Sequence, residues 1–113
     1  MADETDREQL QAMLRYAERA IQWATEASPA WVTDEKTVAA VAMAVGQIGE
    51  CARRISDESQ ARWSELPWRR MRGMRNVLYH AYAGLDVAVL AATVTDDLPD
   101  LLRTVRAILA SRR

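Results

Sequence analysis

Apolar residues recur along this chain at helical spacing and nowhere alternate every second position, as a half-buried strand would require, so the fold must be built from helices. Leu10, Leu14, Ala17, Ile21 and Ala24 step by four and three, which places one stripe on a helix over residues 6–26. Ser28-Pro29 closes that helix, and Thr33 or Asp34 can cap the next by accepting from a free backbone N–H. The second helix carries Val38, Val41, Val45, Ile48, Ala52 and Ile55 and reaches about Ser56. Its first half, residues 38–46, is apolar on every side, so it should be covered all round, as a central helix or a subunit interface.

Residues 57–67 are polar and irregular, and Pro67-Trp68 fits the start of a third helix, where a proline's missing N–H is tolerated. Met71, Met74, Leu78 and Ala81 give that helix its buried stripe, and Gly84 closes it. Asp86 can cap a short fourth helix through about Val94, and Asp96 or Asp97 with Pro99 opens a fifth, whose apolar face is Leu98, Leu101, Leu102, Val105, Ile108 and Leu109. The fold class predicted is all-α, an antiparallel bundle of four to five helices. The 113 residues, 1–113, suffice for one domain with its own core.

The acidic start, Asp3, Glu4, Asp6 and Glu8, reads as a solvated tail with favourable charge at a helix N-terminus. It does not resemble a signal sequence, and no apolar run approaches the about 18 residues of a membrane span, so a cytoplasmic protein without membrane attachment is expected. A single cysteine, Cys51, excludes an internal disulfide, and a single histidine, His80, leaves no Cys/His set for zinc. Net charge is −1, which argues against a general nucleic-acid coat protein. The charge is nevertheless uneven. Between residues 53 and 82, seven arginines (53, 54, 62, 69, 70, 72 and 75) face three acids, a local +4 that encloses the histidine.

Within that block, Arg75, His80 and Tyr82 form an Arg-x4-His-x-Tyr arrangement. RNA carries its own nucleophile, the 2′-hydroxyl, so its cleavage needs a base for that proton, an acid for the leaving oxygen and a fixed cation for the charge building on phosphorus. His80 can move the protons, and Arg75 can grip phosphate with a geometry lysine does not copy. Asn76, four residues before His80, can orient the imidazole or hold substrate. At about 100° per residue, Arg75 and His80 point roughly 140° apart on one regular helix. Either the helix distorts near His80, or two copies of the motif meet across a dimer.

The run Gly73-Met74-Arg75-Asn76-Val77-Leu78-Tyr79-His80-Ala81-Tyr82, followed by Gly84-Leu85-Asp86 and Asp97-Leu98-Pro99-Asp100-Leu101, resembles the HepT-like branch of the HEPN toxins. Ile48-Gly49-Glu50-Cys51-Ala52 and Leu66-Pro67-Trp68 upstream resemble further segments of that family, in the right order. The resemblance implies an all-helical homodimer, the toxin of a type VII-like toxin–antitoxin system, with the Arg-x4-His elements of both subunits lining one cleft. It implies a metal-independent endoribonuclease with no cofactor, acting on an RNA substrate. By matching position Arg75 and His80 would be catalytic and Asn76 supporting. Tyr82 would be the residue that a minimal nucleotidyltransferase antitoxin modifies by adenylylation.

Two other functions compete. One is a non-enzymatic dimeric helical subunit that binds a nucleotidyltransferase or a nucleotide. The other is a bundle holding a metal on carboxylates, with Glu50 and Asp86 as candidates, although their spacing matches no Glu-x-x-His bundle site. An unpaired charge at Glu50 inside the second helix would be costly, so Glu50 should meet an arginine such as Arg53 or Arg54, or reach the cleft.

Overall fold

The computed structural model describes residues 2–79 and 84–111. His80, Ala81 and Tyr82, and with them the expectations placed on His80 and Tyr82, lie outside the described residues. Helix α1 spans Ala2–Glu26, and a single 3-10 turn, Trp31–Thr33, leads into α2, Glu35–Arg54. Four short helices follow: α3 (Asp57–Arg62), α4 (Trp68–Gly73), α5 (Asn76–Tyr79) and α6 (Val87–Ala92). A π-helical turn, Thr93–Asp97, joins α6 to the last helix, α7 (Leu98–Ser111). Among the described residues there is no strand, as the periodicity predicts.

The two long helices pack antiparallel along their length, and α7 lies on α1. At about 1.5 Å per residue, the 25 residues of α1 make a rod of about 37 Å, which sets the 42 Å long axis of the molecule. The buried face of α1 is Leu10, Met13, Ala17, Ala20 and Ala24. Leu14 and Ile21, expected at its centre, pack only partly against the core. The seam has rotated toward Met13 and Ala20, where an alanine lets α2 approach closely. All six apolar positions predicted for the second helix are buried, with Ala42, Ala44 and Gly46 between them.

Helix α2 is central, touching α1 on one side and α4 and α5 on another. Within this chain it is not covered all round: Met43 is 43% exposed and Ala39 is exposed, with no described helix over that side. Asp34 supplies the predicted cap, its carboxylate accepting from Thr37 N–H at 3.2 Å. Asp86 likewise caps α6 by accepting from the N–H groups of Ala88 and Val89.

Three expectations need correction. The segment after α2 is not irregular: Ser56 accepts from Ser59 N–H and starts α3. Trp63 and Leu66 then enter the core, and Trp68 Nε1 donates to the Trp63 carbonyl at 2.9 Å. Asp6 is not solvated but 3% exposed, accepting from Ser56 N–H, Ser56 Oγ and Ser59 Oγ at 3.2, 2.7 and 2.6 Å. Finally, the fourth and fifth helices are continuous through the π turn, where Leu98 N–H reaches back five residues to the Thr93 carbonyl. Pro99 has no N–H and its ring crowds the carbonyl four residues earlier, so a widened turn lets the chain carry it without breaking.

Candidate active site

The motif segment does not form one regular helix. Helix α4 ends at Gly73, α5 begins at Asn76, and Met74-Arg75 makes a tight turn between them. The hydrogen bonds there reach back three residues instead of four: Met74 N–H to Met71, Arg75 N–H to Arg72 and Val77 N–H to Met74, at 3.1, 3.4 and 3.2 Å. A distortion of the motif helix therefore falls at Arg75, while the expected distortion near His80 lies outside the described residues. Arg75 stands on the break itself, between α4 and α5 and outside either helix.

Gly49 on α2 is what the break rests against. A Cβ added there would lie 2.2 Å from Arg75 N and 2.9 Å from both Arg75 Cα and Cβ, far inside van der Waals contact. Main chain thus packs on main chain, and only glycine fits. One residue further on, Glu50 Oε1 is 3.1 Å from Arg75 Nε, while Oε2 is 3.3 Å from Arg53 Nη2. The Nε atom is buried and the carboxylate sits off its N–H axis, so the contact is an ion pair held by charge more than an aligned hydrogen bond. With side-chain exposures of 18% for Glu50 and 31% for Arg75, the pair lies at the rim of the core.

This arrangement confirms that Glu50 meets Arg53 and adds a partner that spacing did not suggest. Asn76, the first residue of α5, is exposed beside Arg75. The basic block is less bare than a linear count implies. Arg70 pairs with Asp97 at 2.9 Å, Arg72 Nη1 donates to Gln60 Oε1 at 2.7 Å, and Arg62 lies over the Trp63 ring. Glu50 and Asp97, both outside the 53–82 window, thus supply counter-charge within it. Beside the break, a groove of about 540 Å³ is bounded by Val45, Met74, Val77 and Val89, with Arg70 and Asp97 among its polar residues.

Neither carboxylate proposed for a metal is set up for one: Glu50 is held by two arginines and Asp86 caps α6. Among the described residues no three His, Cys, Asp or Glu side chains gather as metal ligands. Burial pushes the Cys51 thiol up, with Arg54, Arg15 and Glu50 as lesser influences, so it is not poised as a nucleophile. Among the described residues no helix is long and apolar enough to cross a membrane.

An all-helical fold with an arginine pinned at a helix break, inside a motif able to move protons and grip phosphate, defines a candidate nuclease of the helical class. The model of the HepT-like ribonuclease family matches residues 4–108, and the chain belongs to that family. A protein of Thermococcus cleftensis named "Probable ribonuclease HepT" is 44% identical over 71 residues, covering 63% of this chain and 64% of that protein. A protein of Methanocaldococcus jannaschii with a provisional RNase name is 35% identical over 69 residues, covering 61% of this chain and 63% of its own length. The chain thus spans just under two thirds of the length of the curated relatives it matches. No solved structure matches the chain.

Proposed function

We propose that this protein is a metal-independent endoribonuclease and the toxin of a type VII-like toxin–antitoxin pair. The observation that carries the reading is the fixing of Arg75 by Gly49 and Glu50, in a chain that belongs to a ribonuclease family over nearly its whole length. In the reaction, the 2′-hydroxyl loses its proton to a base and attacks the adjacent phosphorus, and the 5′-oxygen leaves with a proton from an acid. The products are a 2′,3′-cyclic phosphate and a free 5′-hydroxyl. His80 serves the proton transfers and Arg75 holds the equatorial phosphate oxygens as charge builds on them. Asn76 supports the histidine or the substrate. Two subunits complete the cleft.

Control comes from a minimal nucleotidyltransferase antitoxin that transfers AMP from ATP to the Tyr82 hydroxyl, releasing pyrophosphate. The added phosphate puts bulk and negative charge two residues from His80 and competes for Arg75. Intact mass and RNA cleavage, measured together for wild type, His80→Ala and Tyr82→Phe with and without the nucleotidyltransferase, test the reading. Loss of cleavage in His80→Ala and an AMP-sized increment that vanishes in Tyr82→Phe are expected. A wild-type dimer that cuts no RNA and gains no mass, yet binds the nucleotidyltransferase, would instead make it a non-enzymatic helical subunit.

A further inference from the structure

An arginine that stabilises a transition state is most effective when its guanidinium is already in place, because reorganising it during the reaction adds to the barrier. Arginine has four rotatable side-chain bonds, so something must hold it. Here two neighbouring residues of α2 act on its two ends. Gly49 fixes the main chain, since the Arg75 backbone nitrogen sits where any larger side chain would place its Cβ. Glu50 then draws the Nε edge at 3.1 Å, and is itself steadied by Arg53 at 3.3 Å.

We propose that Glu50 is the positioning residue for Arg75, a carboxylate that orients the guanidinium without touching RNA; this rests on reading Arg75 as the phosphate-holding group. A negative charge beside a cleft for a polyanion weakens substrate binding, so its benefit must lie in orientation. The carboxylate takes the Nε edge and turns the Nη end toward the phosphate, the end that forms paired hydrogen bonds. Removing the charge while keeping the shape should therefore have opposite effects on binding and turnover.

Glu50→Gln is expected to lower kcat by about 10- to 100-fold, the scale of a misplaced catalytic group, with KM unchanged or reduced. A merely structural role would raise KM or reduce the active fraction instead. In an Arg75→Ala background the same change should cost nothing further, because the group it orients is gone. An equal fold-loss in both backgrounds, or full kcat in Glu50→Gln, overturns the proposal. A second measurement is independent of activity: the Arg75 ¹⁵Nε resonance, assigned by its loss in Arg75→Lys, should shift and sharpen in Glu50→Gln as the guanidinium becomes mobile. An unchanged resonance overturns the proposal even if wild type cuts no RNA, whereas an inert wild type whose resonance does respond removes the ribonuclease reading and leaves the positioning intact.

Discussion

Asp6 and Glu50 are both drawn away from solvent, and differently. Asp6 is 3% exposed and surrounded by neutral donors, two serine hydroxyls and a backbone N–H, that join the start of α1 to the start of α3. Glu50 keeps an 18% exposed side chain and is shared by two guanidinium groups, one of which belongs to the motif. A buried carboxylate with fixed neutral donors is costly to disturb, because each donor orphaned by its loss remains buried. A rim carboxylate between cations contributes little to stability, since water and salt take over when it goes. The first secures the fold and the second can be spent on orientation.

The largest effect should follow from breaking the first. Asp6→Ala leaves the Ser59 hydroxyl, 1% exposed, without its acceptor, and should cost about 3 kcal/mol, read as a fall in Tm of roughly 10–20 °C. Cleavage per folded molecule should not change. The same site predicts a pH dependence. Burial pushes the Asp6 carboxyl up, but the bonds from Ser59 and Ser56 and the charge of Arg62 outweigh it and hold the pKa below its ordinary value. A group with a lowered folded pKa stabilises fully above its unfolded pKa, about 3.9, and loses that contribution as pH falls through the folded value. Wild-type stability should therefore drop below about pH 4 more steeply than that of Asp6→Ala in matched denaturant titrations. Parallel acid limbs in the two proteins would refute the assignment.

Next in size is Gly49→Ala, which disturbs the seat under the second carboxylate. Its methyl carbon would enter 2.2 Å from the Arg75 backbone nitrogen, where no flexible side chain can yield. Overpacking of this kind costs about 1–3 kcal/mol, and here it also displaces Arg75, the proposed phosphate-holding group, so stability and cleavage should fall together. A variant that loses neither would mean that α4 and α5 move freely against α2. Arg7→Ala should rank third. Arg7 Nη2 donates to the Leu109 carbonyl at 2.7 Å near the C-terminus of α7, a contact worth about 1 kcal/mol in chemical denaturation.

The helices and most of their buried faces were legible in the sequence because apolar spacing of three and four records which side meets a neighbour. The capping roles of Asp34 and Asp86 were legible for the same local reason. Residues 57–62 were misread because a six-residue helix of polar residues has too few turns to show a period, and its only deeply buried side chain is a serine. Asp6 was misread because burial of a carboxylate depends on serine hydroxyls about fifty residues away. The break at Arg75 was hidden since Met71 and Met74 continue the helical stripe up to it. The break packs its backbone on Gly49, a contact that leaves no trace in spacing. At Glu50 the need for a counter-charge was legible, but the choice of Arg75 required the fold.

The smallest stability effect should come from Glu50→Gln, and its smallness is what separates the two carboxylates. Both partner arginines stay partly exposed, at 51% and 31%, so solvent screens the charge that is lost. The change in unfolding free energy should stay within about 1 kcal/mol, and should shrink further as salt rises toward 1 M, where the screening length is about 3 Å. Asp6→Ala should keep most of its cost at the same salt, because the three donors it orphans are neutral, with the Ser59 hydroxyl buried, and only the charge of Arg62 is screened. Equal salt sensitivity in the two variants would collapse the distinction, and a large salt-independent loss in Glu50→Gln would return Glu50 to the structural class.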